Sequence, residues 1–290
     1  MIRRIGAHTI GFEEMPSIIG HAGVAGKVES QGPLADCFDK LIFDSYNGKD
    51  TYEQAESSLQ AEAVSLAISK AKTTADEINY IFAGDLLNQC IGSSYGLLDF
   101  KIPYLGQYGA CSTMAQGLIM ASVFVESGAA KAAMCVTSSH FCSAERQYRF
   151  PLEYGGVRTP TAQWTVTGAG SCVLRNDKKG PSVARATVGK IIDLGVKDAN
   201  NMGAAMAPAM GIIGPRVIGA IQFHRIDGHI FACPSLKSSA TRQGYLRFCL
   251  GQSKICSAYP IVWIAPVTLP DWKWQVVTSK ILLRKECPIG

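Results

Sequence analysis

The order of segments along this chain predicts a layered α/β protein with its sheet held between helices. Three observations carry the prediction. Residues 51–72 repeat Ala55, Leu59, Ala63, Val64, Ala67 and Ile68 at helical spacing. Short apolar runs at 80–83, 102–106 and 131–138 are separated by segments of helix length. The apolar stretch 112–127 falls between two of those runs and is closed by Gly128. Strands alternating with helices imply parallel pairing through right-handed crossovers.

Each element has a local reason. Thr51 followed three residues on by Gln54 is a capping box for the 51–72 helix. Tyr80 to Ala83 reads as a short buried strand, followed by Gly84, Asp85 and a second helix from about Leu86. Ile102–Gly106 is a strand, 112–127 a helix and 131–138 a strand; 166–174 adds a glycine-rich turn and a strand, and 183–194 a further strand. In such sheets ligands bind beyond the carboxyl ends of the strands. Asp85, Cys111 and the Ser138-Ser139-His140 segment all follow strands, so all three are expected on that edge.

Cys111 is the most informative residue. It stands in Gly106-Gln-Tyr-Gly-Ala-Cys111-Ser-Thr113, between strand and helix, with Gly109 and Ala110 permitting a sharp turn. A thiol at a helix N-terminus meets unpaired N–H groups and the positive end of the dipole, which favour a thiolate or a bound anion. The competing expectation is simpler, because free cysteines are often buried core residues.

Composition sets limits. A chain of 290 residues that is 47% hydrophobic can bury one large core or two small ones. Met1–Phe12 carries Arg3 and Arg4, but His8 and glycines interrupt any signal-peptide pattern. The longest apolar stretch, 117–125, is too short for a membrane-spanning helix. The ten cysteines are read as thiols of a reducing compartment, and the absence of CxxC spacing argues against a metal such as zinc.

The net charge of +5 hides a division: residues 1–210 hold 18 basic against 20 acidic side chains, and residues 211–290 hold 10 against 3. The basic residues of the second segment are scattered, which argues against nucleic-acid binding. After Met210 the helical periodicity stops, and Pro215, Pro234, Pro260, Pro266, Pro270 and Pro288 interrupt the remainder.

The motifs Phe82-Ala-Gly-Asp-Leu-Leu-Asn-Gln89, Gly109-Ala-Cys-Ser-Thr113, Thr137-Ser-Ser-His140, Ala144-Glu-Arg-Gln-Tyr-Arg149, Glu153-Tyr-Gly-Gly156 and Met202-Gly-Ala-Ala-Met-Ala-Pro208 resemble the stage V sporulation protein AD family. The resemblance runs to about residue 210. It implies a thiolase-like α-β-α fold, with 1–180 as an intact first half, 181–210 as the start of a second half, and 211–290 as an anomalous basic tail. It also implies binding of pyridine-2,6-dicarboxylic acid (dipicolinic acid) during its transport into the developing spore. The partners implied are membrane proteins of that uptake complex, with the chain cytoplasmic or peripheral at the spore inner membrane. The second-half motifs of the family are missing after 210, which leads to the expectation of a frameshift near codon 211. Translating the gene across codons 200–290 in all three frames tests it: a neighbouring frame restores a thiolase half, or the idea fails.

Dipicolinate is a planar dianion, so its receptor needs donors at each carboxylate and a slot for the ring. The candidate ligand-binding residues are Cys111, Ser112, Thr113, His140, Arg146, Arg149 and Tyr148, with Tyr154 a second choice for the ring. In this reading the Ser112 and Thr113 backbone N–H groups form one anion cradle; His140, Arg146 and Arg149 form the other; calcium accompanies the ligand or is absent. The alternatives stay open. Arg146 and Arg149 can pair with Glu145 and Glu153 on a solvated face, His140 can be a satisfied buried histidine, and Asp85 is expected to cap a helix more than to orient a pocket. Three functions compete: a catalytically silent binder, an acyltransferase using Cys111 as thioester nucleophile, and a non-functional fragment whose uncovered sheet leads to a homodimer.

Overall fold

The computed structural model describes residues 1–32, 35–148, 165–178, 180–189, 195, 260–268 and 274–284. Its strands are β1 (Ile2–Ile5), β2 (Thr9–Phe12), β3 (Ser17–Ala25), β4 (Lys40–Leu41), β5 (Tyr80–Gly84), β6 (Tyr104–Gly106), β7 (Ala132–Ser139), β8 (Gly168–Arg175), β9 (Ser182–Val188), β10 (Pro260–Thr268) and β11 (Trp274–Arg284). Its helices are α1 (Tyr52–Ala71), α2 (Ile91–Gly96), α3 (Thr113–Glu126) and α4 (Phe141–Tyr148).

The strand order is β1-β2-β9-β3-β8-β7-β5-β6, with β4 beside β3 and the β10–β11 hairpin joined to β9 through β11. β5 pairs in parallel with both β6 and β7, while β8 runs antiparallel to β7 and to β3. The all-parallel expectation therefore fails at β8. The chain between Ser139 and Gly168 starts and ends at one edge of the sheet, so β8 returns antiparallel without a crossover. Strands β3, β5, β6 and β7 still point the same way, and their carboxyl ends share one edge.

Two helices cover the two faces. Apolar side chains of α3, including Leu118 and Ile119, cluster with Phe82, Cys135 and Leu174. Val64 and Ala67 of α1 cluster with Ile81, Met134, Val136 and Val173 on the opposite face. The alternation of Ile81 with Phe82, and of Met134 with Cys135, is the period-two pattern of strands buried on both sides. α1 starts as expected: the Thr51 hydroxyl oxygen accepts the Gln54 N–H at 3.2 Å, while Gln54 Oε1 accepts from Asp50 N–H. It ends where Lys72 turns left-handed at φ 52°.

β1, β2 and β3 are strands that apolar periodicity alone does not reveal. Gly20, His21 and Gly23 dilute the apolar character of β3, and packing explains Gly20. A Cβ there would lie 2.6 Å from the Ala67 carbonyl and the Ala71 N–H of α1. A small residue in a buried strand marks a helix lying against the backbone.

A closer approach occurs at Gly84, the last residue of β5. A Cβ there would stand 1.9 Å from the Gln107 carbonyl oxygen and 2.7 Å from Thr113 Cγ2. The residues after β6 and the start of α3 thus rest directly on the end of β5. Gly84→Ala is expected to cost about 3 kcal/mol or more, because backbone must move to admit the methyl group. Gly48→Ala, in open space at φ +67°, should cost only the left-handed penalty of about 1 to 2 kcal/mol. Chemical denaturation of both variants measures the gap, and equal midpoints would refute the tight junction.

Candidate functional site

The shared carboxyl edge brings together the segments that sequence reasoning placed there. Asp85 follows β5, the 107–112 segment follows β6 and His140 follows β7; Gly26–Glu29, which the sequence did not place there, follow β3 to the same edge. Side-chain directions then separate them onto the two faces.

On the α3 face, Ala110–Ser112 form a single 3₁₀ turn leading into α3. Ala110 adopts φ +46°, a left-handed conformation that costs a non-glycine residue about 1 to 2 kcal/mol. The turn is held by its own polar groups. Ser112 donates its N–H to the Gly109 carbonyl at 3.0 Å and its hydroxyl to the same oxygen at 2.8 Å. The Thr113 N–H donates to the Ala110 carbonyl, and its hydroxyl accepts the Gly109 N–H at 3.1 Å. This corrects the expected anion cradle: the Ser112 and Thr113 N–H groups are spent on the turn, and both side chains are buried. Cys111 itself lies within this turn, at the positive end of a 14-residue helix.

On the α1 face, His140 is almost fully buried. Its Nε2–H donates to the Ser45 carbonyl at 2.8 Å, its Nδ1 accepts the Cys142 N–H at 3.2 Å, and its ring stacks on Tyr52 of α1 at 5.1 Å. Burial lowers its pKa, against the smaller opposing effect of the Ser45 carbonyl, so the ring stays neutral at pH 7. Both nitrogens are engaged on the face opposite α3. The structure therefore brings His140 to the edge but turns its ring away from the helix that Cys111 heads. A concavity of about 120 Å³ lies on this side, lined by Gly26, Lys27, Asp44, Asn47, His140 and Thr167 among others. It is smaller than the ~300 Å³ at which ligand pockets usually begin.

Arg146 and Tyr148 lie on α4, directly after this edge, whereas Arg149 and Tyr154 lie outside the described residues. Among the described residues no cluster of His, Cys, Asp and Glu could hold a metal ion.

Asp85 does what a capping residue does, but for a later helix than expected. The residues after it form a 3₁₀ turn at Asn88–Cys90, with Gln89 and Cys90 left-handed, before α2 begins at Ile91. The Asp85 carboxylate accepts the Leu87 N–H at 2.8 Å, and the N–H and hydroxyl of Ser93 at 2.6 and 2.7 Å.

From Ser93 a buried polar line runs across the α1 side of the sheet. Gln60 Nε2 donates to Ser93 Oγ at 3.0 Å and to Ser138 Oγ at 3.3 Å. Ser138 and Ser143 then donate their hydroxyls to the two Glu56 oxygens at 3.1 and 2.9 Å. Sequence reasoning passed over Glu56 and Gln60, although two polar residues on the apolar face of the 51–72 helix were a visible signal. Burial, and secondarily the Asp85 charge, push the Glu56 pKa up to about 8. Glu56 is therefore a neutral acid in the folded chain at pH 7.

A carboxyl that ionises near 4.5 when unfolded and near 8 when folded stabilises most below the lower value. That contribution, on the order of several kcal/mol, is lost as pH rises from about 4.5 to about 8. Glu56→Gln keeps the shape, and its amide can donate to Ser143 Oγ, whose hydroxyl still has the His140 carbonyl as acceptor at 3.2 Å. Urea unfolding across this range should show stability falling with pH in the parent and a flatter profile in the variant. Parallel profiles would contradict the assignment.

Comparison with known proteins agrees with this architecture. Residues 6–213 match the family described as Stage V sporulation protein AD. The curated stage V sporulation protein AD of Bacillus subtilis (strain 168) is 43% identical over 205 residues, covering 70% of this chain and 60% of its own length. The chain thus spans about 60% of that relative. Among solved structures, Xanthomonas campestris OleA with cerulenin bound in a co-crystal aligns with TM-score 0.57 at 13% identity over 94% of this chain and 97% of its own. The 3-oxoacyl-(acyl-carrier-protein) synthase III of Aquifex aeolicus aligns with TM-score 0.55 at 14% identity over 93% of this chain and 100% of its own. Such identities speak for the fold alone. The family match ends at residue 213, beside the break in composition after Met210. The motifs from Phe82 to Pro208, the sheet with a helix on either face and the turn before α3 converge on one assignment: the chain belongs to the stage V sporulation protein AD family and has a thiolase-like fold.

Proposed function

We propose that this chain binds dipicolinic acid at the carboxyl edge of its sheet, as a catalytically silent thiolase-like receptor serving uptake into the developing spore. The observation that carries this reading is the engagement of both His140 nitrogens within the framework. An acyl-transferring thiol needs a general base within hydrogen-bond reach. His140 follows β7, which β5 separates from β6, and both its nitrogens are engaged on the α1 face. Cys111 is left at a helix N-terminus, where the positive end of the dipole suits one carboxylate of a planar dianion even with the Ser112 and Thr113 N–H groups engaged. Arg146 and Tyr148, on the helix after β7, are the proposed contacts for the second carboxylate and the ring, together with Arg149. Calcium would enter with the ligand, since dipicolinate itself supplies oxygen and nitrogen donors.

The proposed partners are dipicolinate and membrane proteins of the same uptake complex. Among the described residues no helix is long and apolar enough to cross a membrane, so membrane attachment would come from those partners. A second copy of the chain is a further proposed partner, because among the described strands β6 ends the sheet and Leu105 on it is exposed.

The alternative, acyl transfer through Cys111, rests on the fold shared with 3-oxoacyl-(acyl-carrier-protein) synthase III. Two measurements on the full chain separate the readings. Titration calorimetry with dipicolinate, with and without calcium, should show saturable heat. Incubation with acetyl-CoA followed by mass spectrometry should leave Cys111 unmodified. A thioester on Cys111 without dipicolinate heat would favour the enzyme.

A further inference from the structure

Cys135 on β7 and Cys172 on β8 face each other directly in the antiparallel register. Directly opposed residues project to the same face, with Cβ atoms about 4.5 to 5.5 Å apart. Both side chains belong to the cluster under α3, Cys135 fully buried and Cys172 partly exposed. The Cys135 thiol donates to the Cys172 carbonyl at 3.8 Å, which places its sulfur against the neighbouring strand. Both are free thiols, and closing a disulfide, whose Cβ atoms stand about 3.5 to 4.5 Å apart, requires the two strands to draw together slightly at this pair.

We propose that Cys135 and Cys172 form a cross-strand dithiol that is oxidised to a disulfide by low-molecular-weight disulfides. The exposed partner reacts first. Cys172 thiolate attacks one sulfur of the small disulfide, forming a mixed disulfide and releasing one small thiol. Cys135, after losing its proton to solvent, attacks Cys172 sulfur and expels the second small thiol. The two protein thiols are oxidised, and one small disulfide is reduced to two thiols. Burial, and secondarily the neighbouring Cys172, push the Cys135 thiol well above its ordinary pKa, so closure is the slow step and speeds up with pH.

The position gives the pair a consequence for the site. A Cβ at Gly117 of α3 would lie 2.8 Å from Cys135 Cβ, so the helix rests on this cysteine without a spacer. Disulfide formation therefore acts on the strand pair beneath the helix that Cys111 heads. None of this depends on the ligand.

The test uses the full chain, reduced, desalted and incubated with glutathione disulfide at pH 8. Free thiols are then alkylated and tryptic peptides mapped without reduction. The expected product links peptide 132–146, through Cys135, to peptide 159–175, through Cys172. It should disappear on adding dithiothreitol. Cys135→Ser should stop at a glutathione adduct on Cys172, and Cys142→Ser should leave the link intact, since Cys142 shares the 132–146 peptide. A parent chain that stops at the Cys172 adduct, or links Cys135 to a different cysteine, would overturn the proposal.

Discussion

The seating of the 107–113 segment on the end of β5 is the constraint from which the rest of the site follows. Gly84 has no side chain, so the Gln107 carbonyl and Thr113 can occupy the space its Cβ would fill. The Gln107 N–H in turn donates to the Ala83 carbonyl at 2.8 Å, extending the β5–β6 pairing by one residue. From that anchor only a few residues remain to reach α3, and they close as a 3₁₀ turn with Ala110 left-handed. The strained turn is held by the Ser112 and Thr113 hydroxyls, so these polar groups are committed to shape. The same turn sets Cys111 at the head of α3.

The two faces of the sheet have different chemistry at this edge. Under α3 the contacts are apolar and close, with Gly117 against Cys135. Under α1 a buried polar line joins Asp85, Ser93, Gln60, Ser138, Glu56 and Ser143. That line ties the segment after β5 to the start of α4 and so fixes two of the loops that border the site. It works because Glu56 is neutral: two ionised carboxylates this close together on the buried side would repel. His140 extends the same side, its ring held between Tyr52 and the Ser45 carbonyl. The histidine that follows β7 thereby serves the framework.

Much of this was legible in the sequence, and the failures have physical causes. The α1 cap at Thr51, the strand at Tyr80, the turn before α3 and the closure at Gly128 follow from local chemistry that tertiary contacts do not override. β3 was invisible because glycine and alanine carry its close packing with α1, and small residues leave no apolar period. The helix expected at Leu86 starts at Ile91 because Asp85 captures the Leu87 N–H and folds the intervening residues into a turn. The site was legible as an edge but not as a set of contacts. Strand order tells which loops meet, whereas the face to which each side chain turns depends on partners such as Ser45 and Tyr52, distant in sequence from Cys111.

In the proposed complex dipicolinate occupies the edge where Cys111 heads α3. The most direct measurement is the rate at which iodoacetamide alkylates Cys111 in the full chain, read by peptide mass spectrometry with and without saturating dipicolinate. Bound at this edge, the ligand should slow alkylation of Cys111 at least tenfold, equivalent to about 1.4 kcal/mol of protection, while leaving Cys37 unaffected. An unchanged rate at Cys111, with dipicolinate bound by calorimetry, would place the ligand elsewhere and contradict the proposal.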